Sequence, residues 1–216
     1  MESLIQTIAV YAIPVLFGIT LHEAAHGYVA RYFGDPTAEQ AGRISLNPTR
    51  HIDPIGTVAV PLFLLFSTTL LGGAGLLFGW AKPVPIDWSR LRNAKKNILW
   101  VALAGPASNL LMAIGWVFVL RLCLYMGLEL HSFWGRMAMA GVQVNLVLMA
   151  LNLLPIPPLD GGRVVYSLLP QTYANRYARI EPYGMLILIV LMFTGILWVV
   201  LQPFLLFGQT IIRLFL

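Results

Sequence analysis

The run LIQTIAVYAIPVLFGITLHEAAHGYVA, residues 4–30, decides how the chain folds. From Leu4 to Leu21 it carries no charge, and a helix needs only about 20 apolar residues, rising about 1.5 Å each, to cross a bilayer. Its second half then places His22, Glu23 and His26 within one short stretch. A charged group at such depth costs roughly 2.5–3.5 kcal/mol on insertion scales and is functional by default. On a helix, positions i and i+4 share a face. Both imidazoles can therefore reach one zinc ion, with Glu23 beside them to take a proton from water whose pKa the metal lowers to about 7. Only Glu2, and no basic residue, precedes the run, and no small-residue cleavage site follows promptly. The segment is expected to stay in the mature fold rather than to act as a cleavable signal.

Of the 216 residues 58% are hydrophobic and 11% charged, too little polar surface for a soluble domain of this size. Further apolar stretches lie at 57–78, 98–120, 138–157 and 183–202. They predict an all-α polytopic membrane protein of about four to five transmembrane helices, forming one domain over residues 1–216. Helices are expected at 93–128 and 136–154, and the final span should end at Pro203. The stretch 57–78 contains Pro61, Ser67-Thr68-Thr69 and Gly72-Gly73-Ala74-Gly75, which weaken a continuous helix. It is expected to form a re-entrant hydrophobic hairpin, a full crossing being the alternative. From Trp80 to Asp87, apolar positions alternate with prolines, the pattern of a short membrane-associated β segment at an edge. The single cysteine, Cys123, excludes an internal disulfide or a zinc ribbon.

The net charge of +5 is scattered between apolar spans without an aromatic-basic platform, so nucleic acid is not expected as a partner. The cations report topology instead. Arg31, Arg43 and Arg50 follow the first span; Lys82, Arg90, Arg92, Lys95 and Lys96 precede residue 98; Arg163, Arg176 and Arg179 follow residue 157. Cytoplasmic loops are enriched in such residues, and only Arg121, Arg136 and Arg213 lie elsewhere. With 57–78 re-entrant, Asp160 arrives at the same cytoplasmic depth as His22 and His26; with 57–78 crossing, it ends on the opposite face.

A catalytic zinc normally takes three protein ligands plus water. Asp160 is the leading candidate for the third, because it follows three prolines and precedes two glycines at the end of an apolar span, where a broken helix can turn a carboxylate inward. Alone, Pro-Pro-Leu-Asp-Gly-Gly also reads as an ordinary turn. His51, Asp53, Asp87, Glu129, His131 and Glu181 are weaker candidates in loops or near span ends. Asn109, Asn145 and Asn152 can serve as interhelical hydrogen-bonding residues, at about 0.6 kcal/mol each.

These residues resemble the site-2 protease family of intramembrane zinc metalloproteases, in its small branch without a PDZ insertion. The family's first motif looks like His22-Glu23-Ala24-Ala25-His26, its second like Ala104-Gly105-Pro106-Ala107-Ser108-Asn109, and its third like Asn152 through Gly162. The resemblance implies a multi-pass protein of a bacterial or archaeal cell membrane, with one Zn2+ per chain near the cytoplasmic side. Its substrates would be transmembrane-helix proteins reached through the lipid bilayer. It further implies that His22, His26 and Asp160 ligate zinc, that Glu23 is the general base, and that Asn152 positions substrate or supports the oxyanion. Asn109 has a similar supporting role or a packing one. The segment Gly79 to Ile86 is similar to one that contacts an unwound substrate strand, which makes Lys82 and Val84 substrate-binding candidates. The apolar insert at 57–78 departs from the smallest members. Two other readings stay open: a membrane protease with a distant glutamate such as Glu181 as third ligand, and a non-proteolytic membrane protein that binds or transports zinc.

Overall fold

The computed structural model describes residues 4–59 and 82–215. Within them, four helices are long and apolar enough to span a bilayer: α1 (Leu4–Tyr32), α3 (Ala94–Tyr125), α4 (Phe133–Asn152) and α8 (Ile196–Arg213). Shorter helices α2 (Thr37–Gln40), α5 (Asp160–Leu168), α6 (Gln171–Ala178) and α7 (Gly184–Phe193) connect or flank them. This is an integral membrane protein built on helices, and among the described residues there is no strand.

Each boundary has a local cause. The N-cap Ser132 starts α4 by accepting from the Gly135 N–H. α3 ends before Gly127, whose φ of +75° only glycine adopts without strain. α4 ends at Asn152 because Pro155, Pro157 and Pro158 cannot continue it.

The partner contacts give the helix directions. Along α1 and α3, Gly18 meets Asn109, His26 meets Val101 and Phe33 meets Arg92, so the two run antiparallel. α4 reverses again, bringing Asn145 to Asn109 and Gly141 to Trp116. α8 packs Gly208 on Leu146 and Met149, and its C-terminal end reaches Arg121 at the far end of α3. Lipid-facing positions are apolar and open: Leu111, Phe118, Leu122, Trp198, Val199 and Phe207 are all exposed. Thr20, Asn109 and Asn145 are buried inside. This inversion is what lipid, which offers no hydrogen bonds, requires.

Two expectations are corrected. The last span is not 183–202. Thr194 turns its hydroxyl back onto the carbonyls of Val190 and Leu191, and Gly195 takes φ +75°, so the chain breaks there into α7 and α8. At about 1.5 Å per residue α7 is roughly 15 Å long, half a bilayer core. α8 includes Pro203 rather than ending at it. The β segment is also not formed over its described part, residues 82–87; its first residues lie outside the described ones. Residues 82–87 are irregular: Pro83 and Pro85 have no N–H, and the N–H groups of Lys82, Val84 and Asp87 go to loop and side-chain acceptors. The re-entrant hairpin falls almost wholly on residues 60–81, outside the described residues; its first residues belong to a π-helical turn, Pro54–Ala59.

Close helix approach depends on glycine at α4. A Cβ at Gly141 would lie 2.2 Å from the Trp116 ring. Gly141→Ala is expected to destabilise the chain by about 1–3 kcal/mol through overpacking, read as a lower unfolding temperature in detergent; an unchanged temperature would mean that the indole has room to move.

Candidate metal centre

His22 and His26 lie about three and two turns before the end of α1, both buried on the face toward α3. Their Nε2 atoms are 3.1 Å apart. Asp160, the first residue of α5, brings Oδ2 within 3.1 Å of His22 Nε2 and Oδ1 within 3.3 Å of His26 Nε2. The edge of a tetrahedron around zinc with bonds near 2.0–2.1 Å is about 3.4 Å, so the three groups already stand at close to ligand spacing. They form one possible metal-holding cluster among the described residues.

Hydrogen bonds on the far side of each ring decide which lone pairs face inward. His26 Nδ1 lies 2.7 Å from the Val101 carbonyl, which can only accept, so that nitrogen carries the proton. His22 Nδ1 lies 2.6 Å from Asn109 Oδ1 and donates to it. Both Nε2 atoms therefore turn lone pairs toward the carboxylate, whose buried Oδ2 has no hydrogen-bond donor. Three sets of electron pairs aimed at one point fit a cation. The Asp160 side chain is itself mostly buried, 16% exposed. Its place at the first turn of α5 adds the favourable end of that helix dipole.

Room at this point comes from α3. A Cβ on Gly105 would sit 2.4 Å from His26 Nε2 and 2.6 Å from His22 Nε2, so any side chain there would fill the space a metal needs. This glycine is the one in the Ala104-Gly105-Pro106 run of the second motif. Gly161 and Gly162 likewise lie where a Cβ would strike the backbone of Leu153, Leu154 and Pro157, and this lets the Pro-Gly turn fold Asp160 inward.

Glu23 reaches away from its own helix to accept the Val84 N–H at 2.7 Å. The segment carrying Val84 is fixed on both sides. Lys82 N–H donates to His51 O at 3.0 Å, and Arg43 Nη2 donates to Lys82 O at 2.8 Å. Farther on, the Asp87 N–H donates to Asp35 Oδ2 at 2.8 Å. Asp35 is fully buried, and its other oxygen takes Thr37; the sequence reading did not single it out. Lys82 and Val84 thus turn their N–H groups toward the protein.

The other candidates stand elsewhere. Asn152 gives its amide to Leu148 O on its own helix at 3.0 Å. His51 is buried with Nε2 on Ser45 O at 2.9 Å, and Glu181 pairs with Arg163 at 3.0 Å. Neither joins the triad.

The family model described as Peptidase family M50 matches residues 125–195. The chain is 36% identical to the candidate zinc metalloprotease YwhC of Bacillus subtilis, over 94% of this chain and 89% of that protein. It is 35% identical to the similarly named Rip2 of Mycolicibacterium smegmatis and 29% identical to Rip2 of Mycobacterium tuberculosis. Those matches cover 83% and 82% of this chain but only 64% and 63% of the mycobacterial proteins. No solved structure matches. The extent and identity of the Bacillus match, with the family model falling across Asp160 and its flanking helices, mean that the chain belongs to peptidase family M50.

Proposed function

We propose that this protein is an intramembrane zinc metalloprotease that hydrolyses peptide bonds in or near the transmembrane segments of membrane-protein substrates. The observation that carries this reading is the convergence of His22, His26 and Asp160 on one point at the edge of the apolar helix bundle, with Glu23 next to His22 in the chain. In this reading His22, His26 and Asp160 hold one Zn2+. When bound, zinc supplies Lewis acidity and a water acidic enough to ionise near neutral pH.

The chain's own groups do the rest. Glu23 takes a proton from the attacking water and delivers it to the nitrogen of the leaving amine. The Val84 N–H holds the accepting carboxylate in place. Pro83 and Pro85 are exposed beside it; the Lys82 and Pro83 carbonyls already accept from Arg43, so an unwound substrate strand would donate its N–H groups to the carbonyls of residues 84–86. Lys82 and Val84 then contribute by anchoring the segment, since their own N–H groups are taken. Asn109 acts through His22 rather than on substrate. Asn152, at the end of α4, has its amide turned to Leu148; a role on substrate requires its rotation.

The charge pattern supports a site near the cytoplasmic side. The C-terminal ends of α1 and α4 and the N-terminal end of α3 meet at the metal end of the bundle, beside most of the basic residues. Arg121, Arg136 and Arg213 lie at the other ends of α3, α4 and α8.

The test is cleavage of a single-span substrate in liposomes with zinc quantified. Glu23→Gln is expected to keep zinc and lose about 10²–10⁴-fold in rate. Asp160→Ala should lose both, and full zinc in Asp160→Ala would remove it as a ligand. Zinc transport that persists in Glu23→Gln vesicles would instead favour a transporter. Val84→Pro, which deletes the N–H that Glu23 accepts, should retain zinc and cleave at least about tenfold more slowly, whereas Val84→Ala keeps the N–H and should cleave nearly as well. Equal turnover in the two would show that the Glu23–Val84 contact does not matter.

A further inference from the structure

A buried polar chain runs through three of the spanning helices to His22, and the proposed reaction uses only that last member directly. It starts from a backbone carbonyl on α4. Gly141 O can only accept, so Asn145 presents its Nδ2 there at 2.8 Å. That leaves Asn145 Oδ1 facing α3, where it accepts from Asn109 Nδ2 at 3.0 Å. The second hydrogen of Asn109 Nδ2 goes to Gly18 O on α1 at 3.1 Å. With both hydrogens committed, Asn109 Oδ1 faces His22 Nδ1. An acceptor at that place requires a proton on Nδ1 and leaves the lone pair on Nε2, the atom that joins the triad.

The directions in this chain are forced. Turning over the Asn145 amide would set oxygen against the Gly141 carbonyl and donor against donor at Asn109. Turning over Asn109 would set its oxygen against two acceptors and its NH2 against the His22 N–H. Asn109 and Asn145 are both 0% exposed, so no surface water relieves either error.

We infer that Asn145 is a positioning residue for the metal centre. Acting through Asn109, it holds His22 in the Nδ1-protonated tautomer with Nε2 free to bind metal. This rests on the zinc reading of the triad. An asparagine that merely packs helices would contribute to stability and leave the His22 ring nitrogens unaffected. Groups that hydrogen-bond directly to a ligating histidine are worth about 10–100-fold in metal affinity. Asn145 stands one step further back, and without it Gly18 O still takes one of the two Asn109 hydrogens, so its removal should cost less, roughly 3–10-fold.

The experiment uses the full chain in detergent as wild type, Asn145→Leu, Asn145→Ala and Asn109→Leu. Zinc affinity is measured by chelator competition. The 15N spectrum of the His22 ring is recorded on zinc-free protein labelled at histidine, with His22→Gln to assign it. Expected are a single Nδ1-protonated state in wild type, mixed tautomers with about 3–10-fold weaker zinc in the Asn145 variants, and a larger loss in Asn109→Leu. Unchanged affinity and an unchanged His22 spectrum in a folded Asn145 variant would overturn the inference. Two replacements of different size guard against one failing to fold. If wild type binds no zinc, the metal reading fails; the tautomer spectrum still reports whether Asn145 controls His22.

Discussion

A polar group inside lipid has to be satisfied by the protein itself, and this constraint organises the inner faces of α1, α3 and α4. Each imidazole on α1 finds its Nδ1 partner on α3, one a carboxamide and one a backbone carbonyl. Satisfying those donors is also what aims both Nε2 atoms at Asp160. Packing and site geometry are therefore not separate here: the bonds that make the histidines tolerable at depth also leave their Nε2 lone pairs facing Asp160. Gly105 completes the arrangement by leaving the point they share free of side-chain atoms.

The second organising element is the irregular segment 82–87. It carries no ladder of its own, yet it is held by His51, Arg43 and Asp35, contributed by the loop between α1 and the following apolar stretch. Through Val84 it reaches Glu23, one residue from the first metal-site histidine. Any strand that settles along the exposed edge at Pro83 and Pro85 therefore presses on the element that sets the orientation of the proposed base. In the proposed reading, substrate contact and proton transfer share one piece of backbone.

Much of this was legible from sequence, for identifiable reasons. α1, α3 and α4 stand out because a bilayer fixes helix length and penalises charge, so hydropathy alone bounds them within a few residues. The triad was legible because ionisable groups are costly at that depth and the Pro/Gly setting of Asp160 is unusual for a span end. The last span was misplaced because residues 183–216 are apolar almost throughout, and the break depends on one left-handed glycine, Gly195, within a run that hydropathy cannot divide. Three asparagines in apolar helices look alike in sequence. Only the packing reveals that Asn109 touches His22, Asn145 touches Asn109 and Asn152 bonds its own helix. The β segment was misread because alternation with prolines predicts extended backbone but not the partner strand that a sheet requires. Asp35 and the Glu23–Val84 bond join positions far apart in the chain, which no local pattern encodes.

In the proposed reading, two histidines and one aspartate hold a single metal toward the C-terminal end of α1. X-ray absorption at the zinc edge of the purified, zinc-loaded chain tests it most directly. The expected spectrum shows one zinc per chain in a nitrogen and oxygen shell at about 2.0–2.2 Å, with the multiple scattering of two imidazoles. A shell without imidazole scattering, or with sulfur at about 2.3 Å, would contradict it.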